Sequence, residues 1–313
     1  MKSINLGAAG LMASEISLGC MRIRDLTVTE GAKVLDAAIT SGINFFDHAD
    51  IYGLNGSAEE VFAGAVKELG LAREDLIIQT KCGLVRNEEW TANISFDFSK
   101  EHIISAVEGS LRRLQTDYVD VLALHRPDAL MEPLEVAEAF DNLHKRGLVK
   151  YFGVSNQSKG QIKLLQKHTP HKLIVNQLQF GLVHTGMIDF GLNVNMKNPA
   201  SVDHDGELLN FCRAKDITIQ AWSPYRLSGA AGVFMDNPEY AELNTVLGEL
   251  AEQYGVTKDS VATAWILRHP AGIQVITGSM NPERIKNIAK ASDINLTRTE
   301  WYKLYMSAGN LLP

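Results

Sequence analysis

Asp47, Tyr52, Lys81 and His125 are a carboxylate, a phenol, an ammonium and an imidazole that follow three apolar runs. Residues 44–53 pass from Phe45 and Phe46 into Asp47, His48, Asp50, Tyr52 and Gly53; residues 76–80 run into Lys81, and residues 118–124 into His125. An apolar run that breaks into polar residues and glycine reads as a buried strand opening into a loop. The chemistry such a set serves is proton transfer to a carbonyl oxygen while a hydride arrives at its carbon. A phenol, with a pKa near 10, is a reluctant donor. An ammonium about 4 Å away attracts a phenolate by roughly 4 kcal/mol at an effective dielectric near 20, equivalent to about three pKa units. Lys81 is therefore expected to bring Tyr52 towards working pH. Asp47 keeps Lys81 charged and aimed, and His125 orients the carbonyl oxygen.

Strand alternation decides whether the four converge. Phe45 and Asp47 share one face, Ile77, Gln79 and Lys81 another, and Val119, Val121, Ala123 and His125 a third. Turned inward, these faces bring Asp47, Lys81 and His125 together, with Tyr52 one loop turn onward. His48 and Asp50 fall on the opposite face and are expected to hydrogen-bond beneath a helix. Singly, Asp47 is explained as a strand-end cap and Tyr52 as a half-buried aromatic. Inward polar groups at several strand ends together favour a site.

The elements that must position them alternate along the chain. Strands are expected at 16–20, 43–49, 76–80, 118–124, 151–154, 173–180, 217–222 and 274–277. Helices are expected at 29–40, after a Ser57 cap, after a Ser99 cap, at 133–147, 159–168, 206–215, 240–254 and 258–269, after Asn281-Pro282, and at 297–307. Strands each followed by a helix indicate an α/β fold, a parallel closed (β/α)8 TIM barrel, here with an extra C-terminal helix. Residues 3–14, with Gly7 and Gly10, read as a β-hairpin plugging its bottom. No linker interrupts residues 1–313, so a single domain is expected. Two long loops, 83–98 (with Trp90, Phe96 and Phe98) and 181–205, follow strands and are expected to wall the pocket.

Composition removes other classes. The net charge of −7 comes with no basic block, which speaks against nucleic acid. Cys20, Cys82 and Cys212 are odd in number and far apart, as suits reduced thiols in the cytoplasm. Gly7, Gly10, Ser14 and Glu15 interrupt the start, making a poor signal peptide, and no run approaches the roughly 18 apolar residues of a membrane span. GxGxxG, GxSxG and HExxH are all missing. A metal-dependent hydrolase would use Asp47, His48, His125 and Asp203-His204-Asp205, but the strand faces set His48 apart and no metal is expected.

Asp47 with Tyr52 five residues on, Lys81 in Thr-Lys-Cys-Gly and His125 in Leu-His-Arg-Pro resemble the catalytic tetrad of the aldo-keto reductase superfamily. The likeness continues through Gly153-Val154-Ser155-Asn156, Val175-Asn176-Gln177, Ala221-Trp222-Ser223-Pro224 and Thr277-Gly278-Ser279 with Arg284, and is nearest a bacterial branch of predicted oxidoreductases. It implies NADP as cofactor, NADPH preferred over NADH, and a small carbonyl compound as substrate. It also implies that Ser155, Asn156 and Gln177 hold the nicotinamide carboxamide and that Trp222 stacks on the ring. The loop Ser223, Pro224, Tyr225, Arg226 and Leu227 would wrap the pyrophosphate, and Gly278, Ser279 and Arg284 would meet the adenosine 2′-phosphate. Gly278 stands where many members carry a lysine, and Arg126 where many carry a tryptophan. The alternative is an NADP-binding sensor or scaffold with slow turnover.

Overall fold

The computed structural model describes every residue except 54–55, 87–93 and 228–231. The chain opens with an antiparallel hairpin, β1 (Ser3–Leu6) and β2 (Leu11–Ser14). The strand β3 (Ile16–Gly19), helix α1 (Val28–Thr40), β4 (Phe45–Asp47), α2 (Ser57–Leu69) and β5 (Ile77–Cys82) begin the barrel. A short hairpin, β6 (Leu84–Arg86) with β7 (Ile94–Phe96), precedes α3 (Lys100–Leu114). Then follow β8 (Val119–Leu124), α4 (Pro133–Lys145), β9 (Val149–Ser155), α5 (Lys159–His168) and β10 (Leu173–Gln179). Two short helices, α6 (Gly186–Leu192) and α7 (Leu208–Ala214), lead to β11 (Thr218–Trp222). Helices α8 (Ala241–Tyr254) and α9 (Lys258–Leu267), strand β12 (Gln274–Thr277), α10 (Pro282–Ala289) and α11 (Arg298–Ser307) complete the chain.

Strands β3, β4, β5, β8, β9, β10, β11 and β12 pair in parallel and close into a barrel, as expected. Leu6 and Ala13 of the hairpin pack on Phe45, Ile77, Val121, Ile174 and Val175, filling the barrel's amino-terminal end. Gly7 makes that plug possible. It takes a left-handed φ of 59°, and a Cβ there would strike Ile174.

Local signals start most helices. Reciprocal capping boxes, Thr27 with Glu30, Ser158 with Gln161 and Thr297 with Glu300, open α1, α5 and α11. Ser99 and Asn281 cap α3 and α10, and Pro133 is the first residue of α4. Ser57 is a correction, since it lies inside α2 and caps nothing. The N-cap is Gly56, at φ 80°, where any Cβ would run into the Arg113 guanidinium. Strand β5 also runs further than expected, through Lys81 and Cys82, because both stay paired with β8 at Ala123 and Leu124. At the C-terminus Trp301 stacks on Trp265 at 4.8 Å, and each indole N–H donates to the other's carbonyl. That pairing fastens α11 to α9. Among the described residues no helix is long and apolar enough to cross a membrane.

Candidate active site

Asp47 ends β4, Lys81 lies in β5, His125 follows β8, and Tyr52 sits in the loop that leaves β4. Alternation turns Asp47, Lys81 and His125 to the barrel's carboxyl-terminal mouth, and the loop after β4 brings Tyr52 to them. The Lys81 ammonium has three hydrogens and three acceptors. It donates to the Asp47 carboxylate at 2.8 Å, the His48 carbonyl at 2.8 Å and the Tyr52 hydroxyl at 3.2 Å. The His125 ring meets the Tyr52 ring edge-on, 5.7 Å between centroids.

Lys81 is fully buried and Asp47 2% exposed. Burial alone would lower the Lys81 pKa, but Asp47 and Tyr52 more than compensate, and it ends above the ordinary lysine value. Tyr52 departs from expectation. Burial pushes its phenol up further than Lys81 pulls it down, so the net shift is upward. The ammonium is shared with Asp47, whose own negative charge also opposes the phenolate. His125 is held well below its usual pKa by burial, then by Lys81 and Arg126, so the imidazole is neutral.

The support for Asp47 is a set of amides that sequence reading missed. Its Oδ1 accepts from Gln79 Nε2 at 2.7 Å and Gln177 Nε2 at 3.0 Å. Both amides also donate to Gln220 Oε1, at 2.9 and 3.3 Å; Gln220 donates to Gln274 at 2.8 Å, and Gln274 to the Ser14 carbonyl at 2.8 Å. A hydrogen-bonded column thus runs up the barrel from the plug to the carboxylate. The signal available was glutamine at inward positions of four strands, Gln79 beside Lys81 among them.

His48 and Asp50 do face away from the interior; among the described residues the His48 ring makes no hydrogen bond there, whereas the Asp50 carboxylate accepts from the Ile51 backbone N–H. Both His48 ring nitrogens and Asp50 Oδ1 lack a partner among the described residues, and the His48 ring packs edge-on against Phe62. Asp203 accepts the backbone N–H groups of Asp205 and Gly206, at 3.1 and 2.8 Å, in a turn of its own. Among the described residues no three His, Cys, Asp or Glu side chains are grouped as metal ligands.

A cavity of about 280 Å³ opens above the tetrad. Asp47, Tyr52, His125, Ser155, Asn156, Gln177, Trp222, Ser223, Pro224, Tyr225, Arg226, Gly278, Ser279 and Arg284 line it; Leu227 does not. Lys81 lies behind its wall. Asn156, at φ 57°, links three of these groups. Its Nδ2 donates to Ser155 Oγ at 2.7 Å, and its Oδ1 accepts Trp222 Nε1 at 3.2 Å. Arg284 forks onto Asp259 through Nε and Nη2, at 2.7 and 3.0 Å, which holds the guanidinium in place. The Tyr225 hydroxyl is buried against Thr263 at 2.6 Å, so only its ring serves the lining. A Cβ at Gly278 would meet nothing within 4 Å, so the missing lysine reflects no steric bar.

Neither long loop walls this cavity with a described residue. Trp90 lies outside the described residues. Phe98 is buried and Phe96 is exposed. The 181–205 segment instead folds α6 against the C-terminus, where Asp189 accepts from the Tyr305 hydroxyl at 2.6 Å and Asn193 donates to the Leu311 carbonyl at 3.3 Å.

Known proteins resemble this chain in sequence and in fold. The sequence model described as the aldo/keto reductase family matches residues 15–305. An uncharacterized oxidoreductase of Bacillus subtilis, YcsN, is 36% identical, covering 97% of each chain. A protein of Agrobacterium fabrum named 6-dehydroglucose reductase is 34% identical, covering 95% of each. The crystal structure of an aldo-keto reductase from Klebsiella pneumoniae in complex with NADPH superposes with a TM-score of 0.73 at 25% identity, covering 97% of this chain and 93% of that one.

Proposed function

We propose that this chain, which belongs to the aldo/keto reductase family, is a single-domain cytoplasmic enzyme that uses NADPH to reduce an aldehyde or ketone to an alcohol. The observation that carries the reading is the Lys81 ammonium, bonded at once to Asp47 and to Tyr52 beneath a cavity that Trp222 and His125 also line. The NADPH complex of the Klebsiella relative supports the cofactor. The buried, free Cys20, Cys82 and Cys212 suit a reducing compartment.

NADPH, when bound, supplies the hydride. Trp222 is half-buried and offers its indole as a platform for a flat ring. Ser155, Asn156 and Gln177 would hold the carboxamide; both Gln177 amide hydrogens are used by Asp47 and Gln220, which leaves its Oε1 for the cofactor. The backbone turn Ser223–Leu227 with Arg226 would take the pyrophosphate, and Ser279 and Arg284 beside Gly278 the 2′-phosphate. Neutral His125 orients the carbonyl oxygen. Tyr52 stays protonated at rest because burial disfavours its phenolate. It then yields the proton as negative charge grows on the substrate oxygen. Lys81, at 3.2 Å, attracts the phenolate by roughly 5 kcal/mol at an effective dielectric near 20.

The test is a comparison of NADPH with NADH across a panel of small aldehydes and ketones, with Trp222 fluorescence followed during cofactor titration. Repeated turnover favouring NADPH, with quenching, is expected. Cofactor binding without repeated turnover would point instead to a sensor or scaffold, and no binding at all would refute the reading.

A further inference from the structure

The fold gives its part-buried arginines carboxylate partners. Arg73 reaches Asp120 at 2.8 Å, Arg113 reaches Glu59 at 2.8 Å and Arg284 reaches Asp259 at 2.7 Å. Arg126 differs from these in being exposed. It follows His125 directly, lines the cavity beside Tyr52, and places its guanidinium 5.3 Å from the centre of the Trp222 ring. Desolvation lowers its pKa, and Tyr52 acts in the opposite direction. Among the described residues no carboxylate stands within ion-pair distance of it. The one acidic side chain in the lining, Asp47, is already matched by Lys81.

An exposed guanidinium on the cavity wall with no carboxylate beside it among the described residues can pair with an anionic ligand. Resting on the reductase reading, Arg226 and Arg284 are committed to cofactor phosphates. Arg126 is the cation that adjoins the carbonyl-handling pair, since its charge is felt by both His125 and Tyr52. Its planar fork matches a carboxylate or a phosphate. We propose that Arg126 selects a carbonyl substrate that carries an anionic group, carboxylate or phosphate, a few atoms from the carbonyl carbon. A purely structural Arg126, stacked on Trp222, would serve the cofactor platform and leave the enzyme indifferent to substrate charge.

Matched pairs separate these roles. With saturating NADPH, kcat/KM is measured for 4-oxobutanoate against its methyl ester and for glycolaldehyde phosphate against glycolaldehyde, in the natural protein and in Arg126→Met, Arg126→Lys and Arg126→Glu. The natural protein is expected to favour at least one anion over its neutral partner by roughly 10- to 100-fold, the scale of a charge-assisted hydrogen bond. Which pair shows the preference tells carboxylate from phosphate. Arg126→Met should lose most of the preference, Arg126→Lys should recover part of it, and Arg126→Glu should turn it against the anion. No preference in the natural protein, or equal losses on both members of each pair, overturns the proposal. Should no carbonyl be turned over, the reductase reading fails, and calorimetric binding of succinate to the NADP-loaded protein decides the matter. Weaker binding in Arg126→Met supports anion selection, and equal binding overturns it.

Discussion

Asp47 and Lys81 face the barrel interior, while the residues next to them, His48 and Thr80, face the helices, where Asp50, Glu59 and Arg113 join them. Both groups are buried and rich in ionisable side chains. On the inner face Lys81 and two glutamine amides donate to Asp47, and Lys81 has an acceptor for every hydrogen. Outside, Glu59 accepts from Thr80 at 2.7 Å and Arg113 at 2.8 Å, while among the described residues the His48 ring nitrogens and Asp50 Oδ1 have no partner. Burial pushes His48 down to about 3, and burial with the neighbouring Glu59 pushes Asp50 up to about 7. The inner face holds charge in place and opens it to a cavity through Tyr52; much of the outer face sheds charge. Residue type therefore does not mark a site. A full set of partners, with one member reaching the cavity, does.

The contrast breaks hardest at Lys81. Lys81→Met strands the Asp47 carboxylate and removes the group that steadies the Tyr52 phenolate. Turnover should fall by ~10²- to 10⁴-fold, and unfolding in urea should show a loss of about 3–5 kcal/mol. Near-normal values of both would place Lys81 outside the chemistry. Arg113→Met strands Glu59 on the outer face, so a stability loss of about 3 kcal/mol is expected, with turnover per folded molecule within ~2-fold of normal. A collapse of turnover would join the two faces into one functional unit.

Asp50 sharpens the difference through pH. Its folded pKa of about 7 lies above the unfolded value near 3.9. The native state thus binds more protons between those values, and stability falls as pH rises through that window, reaching its full penalty above pH 7. Asp50→Asn should gain roughly 1–3 kcal/mol over the natural protein at about pH 8, by denaturation at each pH, and lose that advantage near pH 4. A gain independent of pH would remove Asp50 ionisation as its cause.

Much of this was legible in the residues. Period-two alternation placed Asp47, Lys81 and His125 at one mouth, and the Ser99, Pro133, Asn281 and Thr297 signals opened helices where they stood. What escaped depends on neighbours distant in the chain. Gly56 caps α2 because Arg113 of α3 crowds it, and Lys81 stays in a strand because β8 pairs with it. Helix α6 is a seven-residue segment with two glycines, too short for a helical period. The glutamine column needs four strands closed into a barrel before its amides can meet. The direction of the Tyr52 shift needs the depth of the pocket, which no motif states. Nor does any motif state the absence, among the described residues, of a carboxylate beside Arg126.

Single-turnover reduction by the NADPH-loaded protein, Tyr52→Phe beside the natural chain, bears most directly on whether the buried phenol delivers the proton. The expected result is unchanged NADPH affinity with hydride transfer slowed at least ~100-fold. Transfer at equal rates in the two proteins would contradict it.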